Sequence, residues 1–78
     1  MMDCKELSKK LHDMYFNAPK GEMVAMIHLF GIKYAKEITA NKFSKKEIAI
    51  EAGIPVAYQV EINKGVKLAH YVTVKPNF

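Results

Sequence analysis

The spacing of apolar residues predicts an amphipathic helix near the start of the chain. Leu7, Leu11 and Tyr15 recur every four residues and form a stripe on one face, opposite lysines and acids. Asp3 precedes this stripe at the position of a helix cap, where its side chain can accept a hydrogen bond from a backbone N–H of the first turn. We expect the helix to end near Asn17, because a proline and a glycine follow within four residues.

A second and longer helix is predicted over residues 22–39. Its apolar residues lie nearly all the way round, since Met26, Leu29 and Ile32 fall outside the face that the others share. Such a helix either lies at the centre of its domain or is covered in part by another chain. Gly31 costs about 1 kcal/mol of helix stability relative to alanine, so two shorter helices that meet at this glycine are the main alternative.

The clearest local signals lie in the second half of the chain and predict two helices joined by a tight turn. Ser44 is placed to cap a short helix that ends at Ala52, and Glu47 stands three residues later as in a capping box. Gly53 suits the left-handed conformation that closes a helix, and Pro55 suits the first turn of the next helix.

The last predicted element is a short β-strand over residues 71–74, where the sequence Tyr-Val-Thr-Val alternates and is rich in residues that favour strands. One strand cannot form a sheet alone, so it must pair with residues 41–43, pair with another chain, or lie extended on the core. The fold class that follows is a compact, mainly α domain of four or five helices with a short C-terminal strand. The 78 residues are expected to form one such domain over positions 1–78, which excludes a multidomain enzyme.

The charge of the chain indicates the chemistry of its partners. Twelve lysines and no arginine stand against eight acidic residues, which gives a net charge of +4. A basic surface favours anionic partners such as double-stranded DNA, but lysine supplies only point charges where arginine would make paired hydrogen bonds. Cys4 is the single cysteine, so no internal disulfide can form and a reducing cytoplasm suits the chain. Neither a signal peptide nor a membrane-spanning run is visible, so no membrane partner is expected.

Residues 44–65 resemble the helix-turn-helix of the lambda-repressor and Cro-like families. Small and apolar residues of the two helices and their turn carry the resemblance: Ile48, Ala49, Gly53, Ile54, Tyr58 and Ile62. The whole chain is more closely similar to a small, poorly characterised bacterial family of HTH-like domains, which brings no known activity. The resemblance implies that the first helix crosses the DNA backbone while the second helix lies in the major groove.

On this resemblance, the candidate DNA-binding residues lie on the exposed side of the two helices and among the lysines that follow. They are Lys45, Lys46, Val56, Ala57, Val60, Glu61, Lys64 and Lys67. The lysines would contact phosphates, although an ordinary solvated surface is the alternative for them. Glu61 could accept a hydrogen bond from cytosine, and valine could touch a thymine methyl group. Because Gln59 would fill a slot that is apolar in these families and no Arg, Asn or Gln points outward, little direct base readout is expected.

A second group of candidates points to a protein partner instead. Met26, Leu29 and Ile32 on the long helix, with Val56 and Val60 on the second helix of the pair, would form apolar surface that a partner or the C-terminal strand covers. Two classes of function therefore stay open. One is a bacterial DNA-binding regulator, dimeric so that it reads two half-sites. The other is a protein-interaction or dimerisation module on the same scaffold that does not bind DNA.

Nothing in the sequence points to catalysis or to a cofactor. His12, His28 and His70 are scattered, and none has a cysteine, an aspartate or a second histidine at the spacing of metal ligands. A thiolate would be favoured at Cys4 in a first helical turn, but no base accompanies it in a motif. We therefore expect no metal site, no cofactor and no enzymatic activity.

Overall fold

The computed structural model describes residues 2–76 and 78. In these residues five α-helices follow one another along the chain: α1 (Cys4–Phe16), α2 (Met23–Lys33), α3 (Ala35–Ala40), α4 (Lys45–Ala52) and α5 (Gln59–Leu68). A 3-10 turn (Val56–Tyr58) leads directly into α5. The predicted mainly α fold of four or five helices is confirmed.

The hydrophobic core lies between α1, α2, α4 and α5. Its fully buried large side chains come from the apolar faces of these helices and from α3: Leu7, Leu11, Ile27, Phe30, Ile38, Ile48 and Ile62. The most extensive helix packing is between α2 and α5, while α1 packs against both α2 and α4. The pair formed by α4 and α5 is therefore supported from behind by α1 and α2.

Both predicted helix caps are present. Asp3 accepts a hydrogen bond from the backbone N–H of Glu6 at 2.8 Å, and Ser44 accepts one from the N–H of Glu47 at 3.3 Å. The helix α1 ends immediately before Asn17, as the sequence predicts. The capping side chains satisfy N–H groups that a helix leaves unpaired, and they determine where α1 and α4 begin.

The prediction of one helix over residues 22–39 is wrong, and so is the alternative break at Gly31. The break lies at Tyr34, whose backbone (φ −109°, ψ 20°) leaves helical geometry between α2 and α3. Its ring stays against Phe30, with the ring centroids 5.3 Å apart, and Ile38 of α3 is buried in the same core. Since Tyr34 is neither proline nor glycine, the break is decided by tertiary packing, which overrides local helix propensity.

Gly31 has a packing role that its position in the sequence does not predict. A Cβ placed on Gly31 would lie 2.8 Å from the Cα of Gly65, where α2 and α5 cross. It would also lie 2.6 Å from the carbonyl oxygen of Ile62 and 2.9 Å from the amide nitrogen of Val66. A Cβ on Gly65 would in turn collide with the carbonyl group of His28. The two glycines therefore let the two helices touch backbone to backbone.

The predicted strand over residues 71–74 is wrong, since no strand occurs in the part of the chain that the structure describes. Residues 72–75 have no regular secondary structure. Residues 41–43, the partner considered within the chain, form the turn after α3 instead, where the N–H of Phe43 donates to the carbonyl oxygen of Ile38 at 3.1 Å. Without a neighbouring backbone to pair with, residues that favour strands do not form one.

Candidate nucleic-acid interface

The helix-turn-helix unit consists of α4, the turn that follows it, and α5. Gly53 closes α4 with φ 76°, in the left-handed region that favours glycine, and the N–H of Ile54 then donates to the carbonyl oxygen of Ala49 at 3.2 Å. Pro55 (φ −54°, ψ 132°) precedes the 3-10 turn that leads into α5. Ala49 and Ile54 are buried, so the small and apolar residues that carry the family resemblance lie at the centre of the unit.

The candidate phosphate-binding lysines lie on both helices of this unit. Lys45 and Lys46 occupy the first turn of α4, where Lys45 is half-buried and Lys46 is exposed. Their charges add to the positive end of the α4 dipole, and both favour an anion in front of this helix. Lys64 and Lys67 are exposed on α5. No acidic residue follows Glu61 in the sequence, so the end of α5 is uniformly basic.

Exposed apolar side chains cover the 3-10 turn and the first turn of α5. Val56 is 43% exposed and Val60, one turn later, is 54% exposed. Ala57 is also exposed. These three residues form the apolar surface that the sequence predicts on the recognition face. Their side chains carry no hydrogen-bond donor or acceptor.

A second apolar surface lies at the other end of α5, where the sequence analysis named the lysines but neither apolar residue as a candidate. Leu68 and Tyr71 line a shallow apolar depression together with Lys64 and Lys67. Tyr71 is 84% exposed. Leu68 stands one helical turn after Lys64, so helical spacing could have indicated it. Tyr71 was missed because residues 71–74 were predicted to form a strand.

Glu61 does not project freely from α5. The Nε2–H group of His28 donates a hydrogen bond to Glu61 Oε1 at 2.7 Å, across the crossing of α2 and α5. The ammonium group of Lys64 lies 3.5 Å from the other oxygen, Oε2. Both carboxylate oxygens thus have partners within the protein, so a hydrogen bond to cytosine would compete with them. Lys64 stands three residues after Glu61, a spacing that brings two side chains together on a helix, so the sequence suggests this contact. It does not suggest the contact with His28, which is 33 residues away from Glu61.

These contacts change the acidity of Glu61. The hydrogen bond from His28 holds the pKa of the Glu61 carboxyl below its ordinary value, and Lys64 acts in the same direction against the opposing effect of partial burial. A carboxyl with a lowered pKa in the folded state stabilises the fold above its unfolded-state pKa. This stabilisation is lost as the pH falls through the folded-state value.

We expect Glu61→Gln to lower the Tm at neutral pH, because the amide keeps the size of the side chain but removes its charge. The difference from the parent should shrink as the pH falls below about 4.3, the ordinary pKa of a glutamate. Thermal unfolding followed by circular dichroism across this pH range measures it. Glu51→Gln is the matched control, since Glu51 is exposed and forms no ion pair within the described residues. A Tm difference that is constant with pH would contradict the lowered pKa of the Glu61 carboxyl.

The candidates for a protein interface on α2 are less exposed to solvent than the sequence predicts. Met26, Leu29 and Ile32 are all half-buried. Leu29 and Ile32 line two clefts, and the opposite walls of these clefts belong to residues 72–75. The C-terminal residues of the chain therefore shield part of this apolar surface, and Val56 of the 3-10 turn and Val60 of α5 are the more exposed candidates.

The histidines and Cys4 have separate surroundings. His12 Nδ1 lies 2.8 Å from the carbonyl oxygen of Ala52, which ties α1 to the end of α4. Cys4 Sγ lies 4.0 Å from Ser8 Oγ. Within residues 2–76 and 78, no three His, Cys, Asp or Glu side chains come together as metal ligands would. Among the helices of the same residues, none combines the length and the apolar character needed to cross a bilayer.

Comparison with known proteins relates this arrangement to one family. Residues 3–75 match the family model described as an HTH-like domain, a match that extends from α1 to beyond the end of α5. No curated protein and no solved structure matches the chain.

Proposed function

The chain belongs to the family of HTH-like domains, and from this premise we propose that it is a small DNA-binding protein of the transcriptional-regulator type. The observation that carries the proposal is the presence of exposed or half-exposed lysines on both helices of the helix-turn-helix unit. Lys45 and Lys46 on α4, with Lys64 and Lys67 on α5, bind backbone phosphates. The protein acts by binding and not by catalysis.

The charge distribution around α5 supports phosphate contact. The only acid on this helix, Glu61, is hydrogen-bonded to His28 and lies beside Lys64. The negative charge of Glu61 is therefore offset in part by Lys64, which reduces its repulsion of a phosphate backbone. The net charge of +4 adds a general attraction toward a polyanion, which speeds association and weakens with salt.

The apolar recognition face supports binding with little dependence on base sequence. Val56, Ala57 and Val60 can make only apolar contacts, such as with thymine methyl groups, and none of them can form the paired hydrogen bonds that identify a base. Duplexes of unrelated sequence are therefore bound with similar affinity. The reducing cytoplasm of a bacterium is the compartment that suits this function and the single unpaired cysteine.

Fluorescence anisotropy with a labelled duplex of mixed sequence tests the proposal. The affinity is measured at about 50 and about 200 mM salt, because a protein that neutralises several phosphates loses about tenfold or more in affinity over this range. We expect this steep loss, and similar affinities for duplexes of different sequence. Failure to bind at the lower salt concentration would contradict the proposal.

The exposure of Val56 and Val60 favours a second candidate function. A recognition helix that presents valines and not polar side chains is also suited to an apolar protein partner, as in an interaction or dimerisation module on the same scaffold. In that case the lysines serve solubility, and the chain does not bind DNA.

Val60→Glu separates the two functions. We expect the variant to keep the molecular mass and Tm of the parent, because this side chain is largely exposed, and to bind DNA more weakly, because a carboxylate then faces phosphates. Light scattering and the anisotropy assay measure the two quantities. Val60→Thr is the control, since it keeps the shape without a charge. A lost dimer or partner complex, with DNA affinity absent in the parent, would instead establish the interaction module.

A further inference from the structure

We propose that the apolar depression at the end of α5 binds one base of a single-stranded nucleic acid, with the ring of Tyr71 stacked on that base. Leu68 supplies further apolar contact, and Lys64 and Lys67 bind the phosphates next to the base. The inference goes beyond the proposed function, because it concerns unpaired strands and requires no duplex. It shares only the two lysines with that function.

The ring of Tyr71 is exposed to an unusual degree for an aromatic side chain. It is 84% exposed, more than any other large hydrophobic side chain in the part of the chain that the structure describes. The other tyrosines, Tyr15, Tyr34 and Tyr58, are buried or half-buried. An aromatic ring removes a large apolar area from water when a partner covers it. The domain leaves this area uncovered, so a ligand can contact the ring.

The backbone around Tyr71 forms a hydrogen-bonded turn after α5. The N–H of Tyr71 donates to the carbonyl oxygen of Leu68 at 2.9 Å, and the N–H of Val72 donates to the same oxygen at 3.0 Å. The ring of His70 meets the Tyr71 ring edge to face, with the ring centroids 6.3 Å apart. A ring that is positioned in advance loses less conformational freedom when a base stacks on it.

The depression beside this ring has the size and the charge that suit a nucleotide. Its volume is about 300 Å³, at the lower end of small-molecule sites, and it is lined by Lys64, Lys67, Leu68 and Tyr71. Both lysines are exposed, and Lys67 forms no ion pair within the described residues. Residues 62–78 contain no acid. Apolar surface bordered by positive charge fits a base that is joined to phosphates.

An unpaired strand is the partner that this combination favours. In a duplex each base is stacked between its neighbours, so a tyrosine ring cannot reach its face unless the base is extruded. Proteins that bind single strands combine a basic groove with aromatic rings on which bases stack, and every base has a face that can do so. An uncharged apolar peptide would cover Tyr71 and Leu68 but leave the two ammonium groups without an opposite charge.

Fluorescence anisotropy with oligonucleotides that form no duplex tests the site. The probes are labelled oligothymidylate and oligouridylate of about 12 nucleotides, and an abasic strand of the same length and charge. We expect the parent to bind the two strands with bases roughly tenfold more tightly than the abasic strand, which offers phosphates but nothing to stack. A preference between the first two probes identifies DNA or RNA as the source of the strand, and equal affinities show that the site accepts both.

Replacement of Tyr71 separates stacking from charge. Tyr71→Ala should lower the affinity for oligothymidylate roughly tenfold and leave the affinity for the abasic strand unchanged, whereas Tyr71→Phe should bind both like the parent. Neither variant disturbs the core, because this side chain is largely exposed. Phe16→Ala is the matched control, since it removes a ring that is 51% exposed on α1, and it should bind both strands like the parent.

Tyrosine fluorescence gives an independent measurement of stacking. The chain contains no tryptophan, and of its four tyrosines Tyr71 is the exposed one. Oligothymidylate should therefore quench the emission of the parent, because the base lies against the emitting ring. Tyr71→Phe should bind the same strand with little quenching, since the remaining tyrosines are buried or half-buried.

The inference is overturned if the parent binds the abasic strand as tightly as oligothymidylate, or if Tyr71→Ala binds oligothymidylate like the parent. Self-association of the parent that Tyr71→Ala abolishes, without oligonucleotide binding, would also overturn it and assign the ring to a second copy of the chain. Failure to bind a duplex, beside normal binding of single strands, would count only against the proposed function.

Discussion

Gly31→Ala should lower the Tm by roughly 10 °C, although helix propensity alone predicts that alanine stabilises α2. The new Cβ would lie 2.6 to 2.9 Å from three backbone atoms of α5, contributed by Ile62, Gly65 and Val66. Backbone atoms cannot rotate away as side chains do, so α2 and α5 must separate. Overpacking of this kind costs about 3 kcal/mol, and the gain of about 1 kcal/mol in helix propensity offsets only part of it.

The sign of the Tm change in Gly31→Ala shows whether close helix packing or helix propensity dominates at this position. Thermal and urea unfolding of the variant measure this change. Ala25→Gly, at an exposed position of the same helix, is the control for helix propensity alone, and we expect it to lower the free energy of unfolding by about 1 kcal/mol. Gly65→Ala should act like Gly31→Ala, because its Cβ meets the carbonyl group of His28. The double variant should cost less than the sum of the two, since separating the helices once relieves both collisions. A Gly31→Ala variant more stable than the parent would show that the helices do not touch.

Replacement of Lys45, Lys46 and Lys64 by alanine should weaken DNA binding roughly a hundredfold at moderate salt, and by a similar factor for every sequence tested. The slope of log affinity against log salt should fall by about 0.9 for each phosphate contact that is lost. The Tm should change little, because the charged ends of these side chains contact the protein only through the Lys64–Glu61 pair in the described residues. Anisotropy over a series of salt concentrations gives both the affinity and the slope.

The matched control removes the same amount of charge elsewhere. Alanine at Lys5, Lys10 and Lys20, all exposed on α1 and in the loop after it, also lowers the net charge from +4 to +1. We expect this variant to keep most of the salt slope, because only the general attraction of the protein for DNA is reduced. Equal losses in the two triple variants would show that DNA senses only the net charge and does not contact the helix-turn-helix lysines.

Local signals predicted the parts of the fold that depend on neighbouring residues. The caps at Asp3 and Ser44 and the left-handed turn at Gly53 involve groups that are close in sequence, so the sequence was sufficient to find them. The same is true of the buried stripe on α1 and of the lysines at the start of α4. Of these elements, the Ser44 cap, the Gly53 turn and the lysines of α4 belong to the candidate site, because the helix-turn-helix unit is itself a local motif.

Long-range contacts account for the predictions that were wrong or incomplete. The long helix breaks at Tyr34 and not at Gly31, because each side of the break buries its own residues in the core. The strand over residues 71–74 does not form, and residues 41–43, one of the partners considered for it, form the turn after α3 instead. The sequence presents His28 only as one of three scattered histidines, and its role as the partner of Glu61 appears only when α2 and α5 are brought together.

The sequence by itself thus determined the helical class, the ends of α1 and α4, the helix-turn-helix unit and the basic charge of the surface. Each of these follows from periodicity, capping or composition, which are properties of short stretches of chain. Only the tertiary structure decided how closely the helices approach, which carboxylate is held by a histidine and which apolar residues remain exposed. These depend on the contact of α2 with α5, and no local pattern encodes a contact between residues more than thirty positions apart.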